Sequence, residues 1–275
     1  MSAVLAPAAP AERRGRDLRA MAAALRTSAG QTWAERGSLA VALLFYVVVV
    51  SALSGVWRAA AASGGGTIAG YSAVALTWYI ATSEAAVMSV SQRLIEATGQ
   101  DVADGEVAIE MLRPTSVLGM RVAAELGRTV VRLGGIIPVG AAIAVLTAGA
   151  PPRPAALLLA IPSLLLAVTI NIAAQHAFAG AAFWIRQVGA AWFLYLKLVF
   201  VLGGMLLPLE VLPDGVAAVA RLLPFQAMAY APARLASGHL EPWLLLEQVA
   251  WLATTWLLAV AVFRAGERRL QETGG

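Results

Sequence analysis

Long stretches of apolar residues, separated by short polar segments, dominate the sequence. A helix rises about 1.5 Å per residue, so roughly 20 apolar residues cross the ~30 Å hydrocarbon layer of a bilayer. Six stretches meet this length, at residues 38–57, 68–90, 130–148, 155–184, 188–207 and 243–263. The pattern predicts an all-α integral membrane protein, with a six-span transmembrane domain at residues 37–275 and an N-terminal segment at residues 1–36.

Composition supports a membrane protein. Of the 275 residues, 60% are hydrophobic and only 13% are charged, whereas soluble domains contain ~45–50% apolar and ~25% charged residues. Cysteine is absent, which excludes disulfides, thiolate metal sites and cysteine nucleophiles.

The N-terminal segment is amphipathic. Apolar residues recur at roughly helical spacing, with arginines between them: Leu18, Met21, Leu25 and Trp33, interspersed with Arg16, Arg19 and Arg26. This pattern favours a helix on the membrane surface, its apolar face in lipid and its arginines near anionic headgroups. A solvated helix packed on the protein itself is the alternative.

The distribution of positive charge predicts the orientation. With the N-terminus inside, 15 of the 20 arginine and lysine residues lie in inner segments or at their edges, and four lie in outer segments. Inner loops of membrane proteins carry such an excess. We therefore expect a multi-pass protein of the cell (plasma) membrane with both termini in the cytoplasm, and the inner excess accounts for the basic pI without nucleic-acid binding.

The predicted outer segment at residues 208–242 is unusual for a loop. It is apolar over most of its length but is interrupted by five prolines, Pro208, Pro213, Pro224, Pro232 and Pro242. We expect outer re-entrant helices between spans five and six, because irregular backbone at membrane depth requires shielding by protein. An ordinary loop on the lipid surface is the alternative.

Motifs for catalysis are absent. The chain has one lysine, Lys197, flanked by leucines rather than by glycine and serine, so it contains no P-loop. Its two histidines, His176 and His239, are too far apart in sequence to suggest zinc ligands. We expect no catalytic residue, no metal site and no cofactor in this chain.

Isolated polar residues inside the predicted spans are candidates for a transport path. Glu84 lies in the second span and Lys197 in the fifth. Charged residues in membranes usually face protein or water. Each of these two residues either lines the path or belongs to a Lys–Glu pair that joins two helices, and we favour the pair for Glu84. For His176, a further polar residue inside a span, we favour a hydrogen-bonded packing role.

The inner segment at residues 101–114 predicts a short amphipathic helix. Gly105 breaks the preceding helix, Glu106 lies in the first turn of the next, and Pro114 ends it. Val107, Met111 and Leu112 share one face and Glu106 and Glu110 another. Such a helix suits contact with a soluble partner, although a solvated turn gives the same pattern.

Five motifs in this order resemble the permease subunit of type-2 ABC exporters, in the subgroup of short six-span, viologen-exporter-like permeases. They occupy residues 101–114 (ending Leu-Arg-Pro), 124–128 (Ala-Glu-Leu-Gly-Arg), 203–213 (Gly-Gly-Met-Leu-Leu-Pro-Leu-Glu-Val-Leu-Pro), 222–226 (Leu-Leu-Pro-Phe-Gln) and 230–234 (Tyr-Ala-Pro-Ala-Arg). The resemblance covers nearly the whole chain and is weakest in the first 36 residues.

The resemblance implies a permease that forms the substrate path as a homodimer or with a sister permease. Each permease binds a separate ABC ATPase, which carries the ATP and Mg²⁺. The ATPase-coupling residues are then Asp101, Asp104, Gly105, Glu106, Val107, Glu110, Met111, Leu112 and Arg113. The candidate path or gate residues are Glu84, Lys197, Pro208, Glu210, Pro213, Pro224 and Phe225.

Two other functions fit the sequence less well. An ion- or proton-coupled secondary carrier would use Glu84 or Lys197 as its titrating group, but the chain lacks an evident inverted repeat. A membrane scaffold or an intramembrane enzyme is the remaining alternative, and the latter has no catalytic constellation to support it.

Overall fold

The structure, a computed structural model, describes residues 10–185 and 188–273 and is mostly helical there. The first nine residues of the predicted N-terminal segment and Arg186, counted in an inner loop, lie outside these ranges. The α-helices are α1 (Pro10–Ala34), α2 (Arg36–Ser63), α3 (Ala73–Met88), α4 (Leu94–Ala103), α5 (Glu106–Met111), α6 (Val117–Ala148), α7 (Leu157–Ala179), α8 (Gly189–Leu202), α9 (Asp214–Arg221), α10 (Phe225–Met228), α11 (Tyr230–Ala236) and α12 (Trp243–Thr273). Two antiparallel strands, β1 (Thr67–Ile68) and β2 (Tyr71–Ser72), form a small hairpin, and three 3-10 turns occupy Pro154–Ala156, Gly180–Phe183 and Leu209–Val211.

Four helices in the described ranges are long and apolar enough to cross a bilayer. They are α2, α6, the stretch Pro154–Phe183 that contains α7, and the Trp243–Glu272 part of α12. The prediction of an all-α membrane protein is thereby confirmed. The other two predicted spans are shorter helices: α3 has 16 residues and α8 has 14, or about 24 and 21 Å, so the count of six spans stays a prediction.

The two short helices have local causes. At the start of the predicted second span the chain forms the hairpin, and α3 begins only after Ser72, whose side chain accepts a hydrogen bond from the Ala75 N–H at 3.2 Å. In the predicted fifth span, α8 ends at Leu202 and is followed by Gly203 and Gly204, the latter with φ of +68°. Hydropathy measures the length of an apolar segment and does not report where its helix stops.

The backbone that follows α8 is non-helical, yet its carbonyl groups are paired. Tyr79 donates to the Gly204 carbonyl at 2.5 Å, Ser83 donates to the Met205 carbonyl at 2.9 Å, and the Tyr230 N–H donates to the Gly203 carbonyl at 2.9 Å. Irregular backbone at membrane depth is tolerated when protein supplies these partners. Two hydroxyls of α3 therefore fix the end of α8.

Helix α6 is much longer than the predicted span at residues 130–148. Ser116 caps it by accepting a hydrogen bond from the Gly119 N–H at 3.1 Å. Its first half lies before the predicted span and carries the charged residues Arg121, Glu125 and Arg128. The helix thus joins a charged end to an apolar, membrane-crossing end.

Helix α1 packs along the first half of α6. Side chains at Gly119 and Gly127 would overlap Met21 and the Leu25 backbone, respectively, so these glycines allow the two helices to approach closely. Met21 and Leu25 therefore face the protein, whereas Leu18 and Trp33 are exposed. The apolar face expected for this helix is divided, and lipid contact of its outer half stays a prediction.

Buried polar side chains join the helices. Tyr46 of α2 donates to the Ala81 carbonyl of α3 at 2.8 Å. Gln248 of α12 donates to the carbonyl groups of Ser163 in α7 and Ala227 in α10, at 3.0 and 2.9 Å. Such hydrogen bonds, together with close packing, hold helices together where lipid removes the hydrophobic driving force.

The segment between α8 and α12 contains short helices, as the sequence predicted in outline. Helices α10 and α11 are buried and pack against α3 and α7. Helix α9 is more peripheral and exposes Val219, followed by Leu222. Insertion of this segment into a bilayer as re-entrant helices stays a prediction.

Candidate functional site

An arginine joins two carboxylates at the end of the molecule where α4, α5 and α6 meet. The Arg121 Nη1 atom lies 2.6 Å from Oδ2 of Asp101, and its Nε lies 2.9 Å from Oε2 of Glu110. The three side chains are only partly exposed, the arginine least. This inner clamp, defined as Asp101, Glu110 and Arg121, holds α5 against α6.

Helix α5 presents an apolar pair to the outside. Val107 is fully buried and Met111 packs against the same core, whereas Ile109 is 62% exposed and Leu112 is 84% exposed. The expected face of Val107, Met111 and Leu112 is therefore split, because α5 ends at Met111 and Leu112 follows it as a cap residue. Ile109 and Leu112 form what we call the exposed apolar pair.

The two glutamates expected on one face also separate. Glu106 is exposed, whereas Glu110 belongs to the inner clamp. Gly105 has φ of +78° between α4 and α5, a conformation that glycine adopts without strain. Asp104 accepts hydrogen bonds from Gln100 at 3.0 Å, and Arg113 is exposed beside Leu112.

A cavity of about 910 Å³ lies between α1, α2, α3, α6 and α8. Its size falls in the range of sites that accommodate drug-sized molecules. Most of its wall is apolar, and its polar lining residues are Ser28, Gln31, Thr32, Glu35, Ser38, Glu84, Gln92, Arg128, Arg132 and Lys197. The structure therefore brings Glu84 and Lys197, which are far apart in sequence, to one cavity.

Glu84 and Lys197 do not form an ion pair in the part of the chain that the structure describes. Glu84 is 1% exposed and its Oε1 atom has no hydrogen-bond partner. The Lys197 Nζ atom lies 5.1 Å from the ring centre of Phe193 and 5.9 Å from that of Phe200. The Lys–Glu pair that was favoured for Glu84 is thus not formed among the described residues.

At the end of the cavity nearest α1, two arginines share one buried carboxylate. Glu125 is fully buried, and its Oε2 lies 2.7 Å from Nε of Arg128. Its Oε1 accepts the Ser91 N–H at 2.8 Å and lies 3.9 Å from Nη1 of Arg132. Glu125 therefore offsets much of the positive charge of Arg128 and Arg132.

The opposite end of the molecule has a second arginine that joins two carboxylates. The Arg234 Nη2 atom lies 2.8 Å from Oε1 of Glu241, and its Nη1 lies 3.4 Å from Oε1 of Glu210. Tyr71 and Tyr230 both donate to Glu210, at 3.2 and 2.6 Å. This outer clamp, defined as Tyr71, Glu210, Tyr230, Arg234 and Glu241, joins the hairpin, the 3-10 turn, α11 and the loop before α12.

Two titratable groups of this outer region have shifted pKa values. Burial raises the pKa of Tyr71, and the nearby Glu210 carboxylate raises it further. Burial lowers the pKa of His239, and the positive charge of Arg234 lowers it further. The His239 ring packs 4.9 Å from that of Tyr71, so both groups favour their neutral forms.

The other outer candidates support the chain's turns and do not line the 910 Å³ cavity. Pro208 is buried before the 3-10 turn, and Pro213 and Pro224 precede α9 and α10. Phe225 is buried with its ring 6.1 Å from that of Tyr195. Met205 and Leu206, which sequence reasoning did not single out, do line the cavity.

The sequence did not identify the central residues of either clamp. Arg121 was counted only toward the charge distribution, and Arg234 appeared only as the last residue of a motif. The spacing of Glu110 and Arg121 gives no helical signal because a turn separates α5 from α6. The segment at residues 208–242 has only two arginines, Arg221 and Arg234, and three carboxylates, and this small set of charges is the signal that was available for Arg234.

A family model supplies the assignment. The model that describes ABC-2 family transporter proteins matches residues 38–274, which is nearly the whole chain. The chain belongs to the ABC-2 family of transporter proteins. A comparison with curated proteins gave no match.

Membership confirms the resemblance to a type-2 ABC permease and does not extend to the viologen-exporter-like subgroup. The chain is thus a transmembrane permease of the ABC transporter class. In this family the permease is the membrane component and not the catalytic one. The clamps and the cavity described above are parts of a transport protein.

Proposed function

We propose that this chain is the membrane subunit of an ATP-driven exporter and forms the substrate path as a dimer. The dimer is a homodimer or a pair with a sister permease, in the cell membrane, with both termini cytoplasmic. A separate ABC ATPase binds ATP and Mg²⁺ and drives the cycle. Membership of the ABC-2 family supports this division of labour.

The exposed apolar pair on α5 carries the assignment of the ATPase contact. Ile109 and Leu112 are large apolar side chains at the end of the molecule that holds most of the arginines. The inner clamp fixes the helix that presents them. A fixed apolar projection with a charged rim formed by Glu106 and Arg113 suits insertion into a groove of a soluble partner.

The clamp also gives the contact a mechanical role. Arg121 lies on α6, the same helix that places Arg128 and Arg132 at the cavity. Movement of α5 by the ATPase therefore acts on the cavity wall through α6. The outer clamp keeps α11 and the hairpin together while the inner side opens.

The test starts from the tagged chain purified in mild detergent from its native membranes. We expect a P-loop ATPase subunit to co-purify, with ATP hydrolysis in the complex and none in the chain alone. Leu112→Glu combined with Ile109→Glu should reduce the recovered ATPase by at least tenfold, because two charges would enter an apolar contact.

Leu240→Glu is the matched control, since Leu240 is also exposed but lies in the loop before α12 at the opposite end. It should leave ATPase recovery unchanged. Full recovery with the double variant would overturn the assigned contact surface. Transport that persists in ATP-depleted vesicles under a pH gradient would overturn ATP-driven export and favour a secondary carrier.

A further inference from the structure

Glu84 is chemically isolated. It is the one charged residue of α3, is 1% exposed, and its Oε1 atom lacks a hydrogen-bond partner. The neighbouring Ser83 hydroxyl is already committed to the Met205 carbonyl at 2.9 Å and the Ile80 carbonyl at 3.1 Å. A buried carboxylate oxygen without a partner is destabilising, so a proton or a cation beside this group would stabilise it.

The wall around Glu84 is apolar and polarisable. Phe45, Met88, Phe200 and Met205 line the same cavity. Aromatic faces attract cations, and thioethers adapt to irregular apolar shapes. A carboxylate surrounded by such a wall is complementary to a protonated amine carried on an apolar body.

The other charges at the cavity limit what fits beside Glu84. Arg128 and Arg132 share the Glu125 carboxylate, and Glu35 also lines the cavity. Lys197, by contrast, has no carboxylate partner among the described residues. Because Lys197 lines the same cavity, its positive charge would repel a second positive charge on a bound molecule, which disfavours molecules with two amines.

We propose that the cavity binds amphiphilic monoamines, with the ammonium group beside Glu84 and the apolar body against α2 and α8. This inference rests on the proposed function, since it names the class of molecule that the permease carries. Lys197 acts as the residue that excludes dications.

The test measures binding to the purified permease in detergent, without ATPase. The probe is monodansylcadaverine, a fluorescent amphiphile with one primary amine, compared with its neutral N-acetyl derivative. We expect the amine to bind at least tenfold more tightly than the acetylated form. Glu84→Gln should abolish this preference by weakening amine binding alone.

Glu96→Gln is the matched control, because Glu96 is an acid on α4 that does not line the cavity. It should retain the preference. Equal affinities of the two probes for the unmodified chain would overturn the proposal, and so would a preference that survives Glu84→Gln. The comparison on the unmodified chain decides the question even if the Glu84 variant does not fold.

A second probe tests the role of Lys197. A dansyl derivative with two amines should bind the unmodified chain at least tenfold more weakly than monodansylcadaverine, and Lys197→Met should remove that difference. Equal binding of both amines to the unmodified chain would contradict it. Because no ATPase is needed, loss of amine preference leaves ATP-driven export standing, and loss of ATPase co-purification leaves amine binding standing.

Discussion

The two ends of the permease use the same three charges in different surroundings. At each end an arginine joins two carboxylates, Arg121 with Asp101 and Glu110, and Arg234 with Glu210 and Glu241. The outer arginine also donates to the Tyr71 hydroxyl at 2.6 Å and lies over its ring. The inner arginine is buried to a similar degree but is bonded only to its two carboxylates among the described residues, and the helix that it holds is followed by an exposed apolar side chain.

This difference indicates what each end does. Hydrogen-bonded tyrosines satisfy the outer clamp internally, which suits a closed gate. The inner clamp holds a short helix while leaving one face bare, which suits a contact with another protein. We therefore propose that the same ionic arrangement keeps one end closed and presents a contact surface at the other.

The largest effect is expected for Arg234→Ala, which tests the outer half of the comparison. Glu241 loses its partner and Glu210 keeps only the tyrosine hydroxyls, so we expect a loss of about 3 kcal/mol, as for other partly buried pairs. Thermal unfolding of the purified chain measures this loss.

A labelling experiment tests whether the outer region loosens in the same variant. The chain has no cysteine, so Ala231→Cys, which is buried in α11, reacts with a membrane-impermeant maleimide only when the outer region opens. Unchanged labelling in the Arg234 variant would show that the outer clamp does not keep this region closed.

Arg121→Ala should have a smaller effect on stability and a larger one on partner binding. Asp101 and Glu110 are about one-third exposed, so water partly replaces the arginine and we expect a loss of about 2 kcal/mol. Co-purification of the ATPase should fall with it. Arg113→Ala, which alters an exposed arginine outside the clamp, should leave stability unchanged. If the two variants behave alike, the inner clamp does not hold α5.

Gly105→Ala tests how α5 is held in place by changing the backbone turn before it instead of the inner clamp. Alanine at φ of +78° is strained, and we expect a loss of about 1 kcal/mol. Nothing lies near enough to clash with the added methyl group, so the effect reports backbone strain alone. Thermal unfolding measures the loss, and ATPase recovery should fall less than with Arg121→Ala. A stability equal to that of the unmodified chain would contradict the strained turn.

The smallest expected effect is a pH dependence at the outer end. Because the pKa of His239 is lowered in the folded chain, its neutral form stabilises the fold. This contribution is complete above the ordinary histidine pKa of about 6.5 and is lost as the pH falls below it. The unmodified chain should lose more thermal stability between pH 7.5 and pH 5 than His239→Gln. Identical losses would show that His239 protonation does not affect the outer region.

The apolar segments were predictable from the sequence, whereas the ends of the helices were less so. Apolar length alone indicated α2, α7 and α12. It could not show that Gly203 and Gly204 stop α8, or that a capped helix starts at Ser116, well before the predicted third span. These bounds depend on caps and tertiary hydrogen bonds, which hydropathy does not measure.

The candidate site was predictable in location and less so in detail. The inner segment was expected to form a short helix after Gly105, and α5 does so. Helical spacing could not separate Leu112 from Val107, because the separation depends on where a six-residue helix ends. Nor could it place Glu84 and Lys197 at one cavity, since that depends on how several helices are arranged around the cavity.

The tyrosine and serine of α3 that hold the end of α8 have a dynamic consequence. Glu84 follows Ser83 directly, and Lys197 lies on the helix that these hydroxyls anchor. We therefore expect Glu84 and Lys197 to keep a similar separation when other helices move, because α3 is hydrogen-bonded to the backbone that ends α8.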